Sequence, residues 1–356
     1  MKQCDYLIVG LGLAGMAFAE TLRAKGHSFR VIDNGRPGAS KVAAGLYNPV
    51  ILKRYTLPWK AREQWALALP FYRELAQRLQ VDVVRQLPVQ KLFSSIEDQN
   101  NWIYASDSPA LGDFLEGQVQ KSTNKRLYSP FGLGTVAGTG QINIGALLAA
   151  YEQKLQEEHA FAKANFQHEE LEIHPSGLRY QDLEVKRIVF AEGFGIKHNP
   201  YFHQLPLIGN KGEYLTIHAP ELQLDAAVKS RYFLIPLGND RYKVGATFNW
   251  KDKDSIPSEG AQNELKEWLA KTIDCPYEIV DQEAGIRPTT GDRRPLLGKH
   301  PEHERLAVLN GLGTRGIMAS VYLAQMLYTH LEQQEPLLEE VDIERFRSSS
   351  SSNRSS

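Results

Sequence analysis

Asp5-Tyr6-Leu7-Ile8-Val9-Gly10-Leu11-Gly12-Leu13-Ala14-Gly15 opens the chain, and Val31-Ile32-Asp33 follows. Leu7 to Val9 form the short apolar run of a parallel strand covered on both faces. Gly10 permits a tight turn, Gly12 lets backbone approach a pyrophosphate, and Gly15 lets the next helix, Met16 to Lys25, pack on the strand. The positive end of that helix points at the phosphates. Asp33 stands near the expected separation of about 20 residues, where it would accept from a ribose hydroxyl. A strand, glycine turn, helix and second strand ending in an acid together predict dinucleotide binding.

The 356 residues suggest two domains, or one with a large insertion. Hydrophobic residues at 42% suffice for a core, and a formal charge of −1 argues against a broad nucleic-acid surface. Cys4 and Cys275 form no closely spaced metal or redox pair, which predicts a reducing, cytoplasmic setting. The fingerprint starts so early that no signal peptide is expected, and no apolar run reaches the ~20 residues of a membrane span. The ten histidines show no paired zinc spacing, so no metal is expected. His300-Pro301-Glu302-His303 reads as a surface turn, and the serine-rich stretch 348–356 as a disordered tail.

Two further segments share the character of the first: Arg187 to Gly193, and Leu306 to Asn310 leading into Gly311-Leu312-Gly313-Thr314-Arg315-Gly316. A helix from Met318 to Glu332 follows, with apolar residues at helical spacing. These pieces predict one domain built from residues 1–48, 138–205 and 285–345. Residues 49–137 and 206–284 then make a second, mostly antiparallel domain. In it, 213–217, 232–236 and 242–248 read as strands, Gly238-Asn239-Asp240 as a turn, and Leu265, Trp268, Leu269 and Ile273 as a covering helix. Residues 59–80 read as a helix that Pro70 should kink or split, and 147–156 as another helix. The fold class is therefore α/β: a Rossmann-like parallel-sheet domain with an α+β partner.

With these motifs in place the chain resembles the FAD-dependent amine and amino-acid oxidoreductases of the D-amino-acid oxidase and glycine oxidase type, from Asp5 to about Leu338. The resemblance rests on the fingerprint with Asp33, on Ser40 to Pro49, on Ala191-Glu192-Gly193, on Gly285-Ile286-Arg287-Pro288 with Pro295 to Gly298, and on Gly311 to Gly316. It implies non-covalent FAD, because no cysteine lies in 285–288, where sarcosine-oxidase-like relatives attach it. The cofactor residues it implies are Gly10, Gly12, Gly15, Asp33, Asn34, Ser40, Ala44, Gly45, Leu46, Gly193, Gly311, Gly313, Arg315, Gly316 and Ile317. Ser40 would donate to a phosphate or simply shape a turn. The glycine turn before the last helix would set a positive helix end against the N1–C2=O edge of the flavin, or serve as a structural turn.

By the same resemblance Arg287 and Arg315 would clamp a substrate carboxylate, and Tyr232 or Phe233 would line the pocket, where Tyr232 could hydrogen-bond that carboxylate; buried ion pairs and strand packing are the competing roles. Lys53-Arg54 would mark an anionic or dicarboxylic substrate or form a solvated pair, and Glu192 and Asp292 read as solvated loop acids or as contacts to the nucleotide. The implied reaction is hydride transfer from the carbon beside an amine nitrogen of a small carboxylated substrate to flavin N5. The imine formed would hydrolyse. Oxygen or a quinone would then take the electrons. A tRNA-modifying oxidoreductase acting on a carboxymethylaminomethyl base and a non-catalytic flavin-binding assembly protein are the alternatives.

Overall fold

Alternate residues of the first strand bury opposite faces of one sheet. Tyr6 and Ile8 point into one apolar layer, and Leu7 and Val9 into another. The computed structural model describes residues 2–346, so the serine-rich stretch 348–356 lies outside the described residues. The sheet to which that strand belongs has eight strands. Its main path runs β17 (Leu296–Lys299), β18 (Leu306–Asn310), β11 (Leu183–Phe190), β1 (Lys2–Val9), β2 (Phe29–Asp33) and β8 (Phe161–Lys163). From β18 to β8 the pairing is parallel. A hairpin of β9 (Leu171–His174) and β10 (Gly177–Tyr180) joins β11 from one side. The three separated segments with strand-glycine character are thus neighbours in one sheet. The apolar layer containing Ile8 is covered by α1 (Leu13–Ala24), α3 (Ala61–Arg78), α5 (Ile144–Glu157) and α7 (Gly316–Gln333).

The second sheet has seven strands in the order β16 (Glu278–Arg287), β12 (Asn210–His218), β15 (Arg241–Gly245), β14 (Phe233–Gly238), β13 (Ala227–Lys229), β5 (Val89–Leu92) and β6 (Leu133–Val136). All its pairings are antiparallel except β13 with β5. Asn239 and Asp240 both take positive φ in the two-residue link from β14 to β15, which matches the twist of a tight hairpin. Leu215, Val228, Leu234 and Val244 face a layer shared with Leu265, Trp268 and Leu269 of α6 (Glu259–Leu269). Val89, Ala227 and Ile235 face the opposite layer, which also takes in Trp102 of α4 (Ile96–Ser106). A small sheet of β3 (Leu46–Tyr47), β7 (Gly140–Ile142) and β4 (Val84–Gln86) completes the fold. The short helix α2 (Ala39–Val42) precedes β3.

Pro70 does not split its helix: α3 is continuous across it. Pro70 and Ala66, four residues earlier, are both exposed. Water can therefore reach the carbonyl that proline leaves without an N–H partner, while Ala68, Tyr72, Leu75 and Ala76 hold the buried face. Nor is 300–303 merely a surface turn. His300 is buried and its ring stacks on His303 with centroids 4.9 Å apart.

Candidate active site

Two helix N-termini meet beside the first glycine turn. Gly10 has φ +106°, and Gly15 lies so close to it that a Cβ there would stand 2.0 Å from the Gly10 carbonyl oxygen. Gly316, the first residue of α7, is less tightly crowded by Leu13, the first residue of α1: a Cβ would stand 3.0 Å from Leu13 Cδ1. Neither helix has a side-chain cap or an acidic residue in its first turn. Two positive helix ends with no acidic residue in the first turn suit a ligand with anionic groups. Ser40 Oγ accepts from Leu13 N at 3.2 Å and sits against Gly12. The Asp33 carboxylate closes the turn, accepting from Leu11 N at 2.8 Å and Gly35 N at 2.7 Å. A carboxylate has further lone pairs, so a ribose hydroxyl can still be accepted. Asn34 is exposed and accepts from Arg36 N at 3.0 Å.

The stretch Ala44-Gly45-Leu46 is pinned from several directions. Gly45 has φ +78°, and a Cβ would stand 2.0 Å from the Ile142 carbonyl oxygen. Gln141 Nε2 donates to Ala44 O at 2.7 Å, and Arg85 Nε donates to Gln141 Oε1 at 2.8 Å. Lys243 Nζ donates to Val42 O at 2.9 Å and to Glu283 Oε2 at 2.7 Å. Sequence reading missed Arg85, Gln141 and Lys243, whose only signal is their position on strands that come together in the fold. Gly193 O accepts from Asn310 Nδ2 at 2.9 Å, joining the ends of β11 and β18. Gly311 and Gly313 both have positive φ, and Gly313 N donates to Pro288 O at 2.9 Å. That bond brings the loop carrying Arg315 to the end of β16, where Arg287 stands. Ile317 is buried at the start of α7.

Both arginines lack an acidic partner among the described residues. Arg287 Nη1 donates to Asn210 Oδ1 at 2.7 Å and Thr247 O at 3.2 Å, and its guanidinium lies 4.7 Å from the centroid of the Phe248 ring. Gly212 allows this: a Cβ there would stand 2.0 Å from Arg287 Nη2. Glycine inside a strand is a known mark of close approach, and the Asn210-Lys211-Gly212 stretch carries that overlooked signal. Buried Asn210 also leaves its Nδ2 without a partner. Arg315 Nη1 donates to Asn48 O at 3.2 Å, and burial pulls its pKa down to about 10, so it stays charged at neutral pH. Two partly buried guanidinium groups held by neutral acceptors retain their full positive charge for an outside anion.

Tyr232 requires a correction. It packs against Trp268 in the α6 layer, and its hydroxyl bonds Glu264. Its neighbour Phe233 packs in the layer containing Ala44 and Leu46. Successive strand residues face opposite sides, so of the two residues expected at the pocket, Phe233 and not Tyr232 lies on the side of the 44–46 stretch. Cys275 also belongs to the α6 layer. On acid precipitation the flavin is expected to stay in the supernatant; yellow colour in the washed pellet would show a covalent bond instead.

Glu192 is not a solvated acid. Its carboxylate accepts from Asn199 Nδ2 at 2.7 Å, and burial raises its pKa from 4.5 to about 7. The folded state therefore holds this proton more tightly than the unfolded chain, and stability falls as pH rises from about 4.5 to about 7. Glu192→Gln is expected to stabilise the protein by up to roughly 3 kcal/mol at pH 8 and by almost nothing at pH 4. Thermal melts at the two pH values measure this, and an equal effect at both would contradict it. Asp292 is exposed and paired with Arg345 at 3.1 Å.

The family model for FAD-dependent oxidoreductases of the DAO type matches residues 5–329. The chain belongs to this family. It is therefore an FAD-dependent oxidoreductase, and the glycine turns, the two helix N-termini and the pinned 44–46 stretch are suited to hold that cofactor. A glycine oxidase of Bacillus licheniformis is 31% identical over 121 residues, 33% of this chain and 32% of the relative. The chain thus spans about a third of the length of that relative. The tRNA 5-methylaminomethyl-2-thiouridine biosynthesis bifunctional protein MnmC of Aromatoleum aromaticum is 25% identical over 93% of this chain and 57% of its own length. The crystal structure of glycine oxidase from Geobacillus kaustophilus superposes with a TM-score of 0.75 at 24% identity, covering 94% of this chain and 96% of that one. This likeness establishes the shared fold. No helix among the described residues is long and apolar enough to cross a membrane.

Proposed function

We propose that this flavoenzyme oxidises the C–N bond of a small carboxylated amine or amino acid. The observation that carries the reading is the pair Arg287 and Arg315, which have no carboxylate partner among the described residues and are brought to one loop junction by the Gly313–Pro288 bond. Bound FAD supplies the acceptor for a hydride from the carbon beside the nitrogen. The chain's own part is to bind and orient. A guanidinium fork takes the substrate carboxylate bidentately and fixes the direction of the C–H bond. Gly212 and Asn210 hold Arg287 in place, and Phe248 covers one face of its guanidinium. The substrate nitrogen must be uncharged, and the product imine hydrolyses in water. The partial match to glycine oxidases supports this substrate class, and a cytoplasmic setting with oxygen or a quinone as acceptor accompanies the reading.

The test is an anaerobic screen of glycine, sarcosine, D-alanine, D-proline and related amines, read by loss of flavin colour. Bleaching by at least one carboxylated amine is expected, and none by amines lacking a carboxylate. Oxidation of both groups at equal rates would remove the role given to the arginines. The match to MnmC along most of the chain favours one second reading, oxidation of a carboxymethylaminomethyl base in tRNA. Salt-sensitive tRNA binding would move the assignment there.

A further inference from the structure

A second group of cations lies on the side of the seven-stranded sheet that faces the 44–46 stretch. The parallel register of β13 and β5 sets Lys229 opposite Lys91. Two residues before them, Ala227 and Val89 face the layer containing Ala44, Leu46 and Phe233, whereas Val228 and Leu92 face the α6 layer. Strand alternation therefore sends both lysines to the side of the flavin loop. The Lys229 ammonium lies 5.0 Å from the centroid of the Phe233 ring. It donates to the carbonyls of Ser230 and Arg231 at 2.5 and 2.6 Å, and neither carries a charge to balance it. Lys91 is paired with Asp98 at 2.6 Å. Lys53, exposed just after buried Leu52 of the same layer, makes no ion pair among the described residues.

Burial, with the positive charges of Lys91 and Lys53, brings the Lys229 pKa down to about 8. Among the described residues, only one of these three ammonium groups, that of Lys91, has a carboxylate partner, on the sheet face that packs against Ala44 and Leu46. A buried, unpaired cation between like charges weakens a fold, and such a group in a ligand-facing position marks a place for an anion. We propose that Lys229 and Lys53 form a second anion subsite, which takes the distal carboxylate of a dicarboxylic amine while Arg287 and Arg315 take the proximal one. This rests on the reading of the site as amine-oxidising, and it narrows the substrate class.

Dicarboxylates without an amine cannot be oxidised by this chemistry, so they test binding separately from turnover. The FAD-loaded protein is titrated by calorimetry with malonate, succinate, acetate and propionate at low and moderate salt. Binding of a diacid at least 10-fold tighter than its monoacid counterpart is expected. Lys53→Gln and Lys229→Gln should each reduce that preference to within about threefold, with acetate affinity unchanged. Lys53 is exposed, so its substitution does not endanger the core, and an unchanged flavin spectrum verifies each variant. Equal affinity for mono- and diacids, no measurable diacid binding, or a preference unaltered in both variants overturns the subsite. So does salt-sensitive tRNA binding without a diacid preference. A diacid preference in a protein whose flavin no amine bleaches would sink the amine-oxidising reading and leave the subsite standing. Bleaching by monocarboxylic amines without diacid preference would do the reverse.

Discussion

Replacing Arg287 with methionine should lower kcat/KM for a carboxylated amine by about three orders of magnitude, or roughly 4 kcal/mol of transition-state stabilisation. The size follows from what the side chain does. A charge-assisted bidentate pair in a partly desolvated site contributes several kcal/mol, and its loss also frees the substrate to rotate away from the reacting geometry. Arg287 stands over Gly212 and is held by Asn210 and Thr247, so its fork is already oriented when substrate arrives. Lysine at this position keeps the charge and loses the fork, and should recover only a small part of the activity. Methionine at 315 should act in the same direction. The double variant should fall short of the sum, because both cations are taken to grip one anion. The flavin spectrum and melting temperature separate this from unfolding. Holoprotein with full flavin and kcat/KM within fivefold of the parent would rule Arg287 out as the carboxylate clamp.

The second large effect is expected at Gly15, where alanine should leave the purified protein colourless or weaken FAD binding by more than 100-fold. A Cβ at this position meets the Gly10 carbonyl oxygen at 2.0 Å, which is backbone and cannot rotate aside. Either α1 moves off β1 or the Gly10 turn opens. Both displace the helix end proposed to face the pyrophosphate. Gly26 is the control: it has nothing within 4 Å of a Cβ, but its φ of +74° makes alanine a cost to stability alone. Fluorescence titration of apoprotein with FAD reads the difference. A Gly15→Ala protein that retains a full complement of flavin would show that the close approach is not needed for binding.

The parts of this protein legible in its sequence are those set by short-range chemistry. The first glycine turn, the buried runs of β1, β11 and β18, and the covering helix with Leu265, Trp268 and Leu269 each follow from local spacing. The three strands share one sheet because each is apolar on both faces and needs cover on both. Pro70 does not split α3, a point not legible locally, because local propensity carries no information on which helix face meets water. Tyr232 misled because a strand shows its alternation readily, while which set of alternate residues faces the cofactor depends on the sheet's placement. The expected domain boundary at 285 falls inside β16, whose tenth residue is Arg287. The strand continues there because its backbone is still paired with Asn210 of β12.

Family membership and dinucleotide binding were thus written locally, because glycine positions and buried-strand composition act over a few residues. Whether Arg287, Arg315 and Lys229 were neutralised by acids could not be read that way. The Asn210, Asn48 and Ser230 oxygens that meet them come mostly from distant parts of the chain, and only packing reveals that, among the described residues, no carboxylate pairs with them. Charge compensation is decided in three dimensions, since a cation's free energy depends on every group within a few ångströms regardless of separation along the backbone.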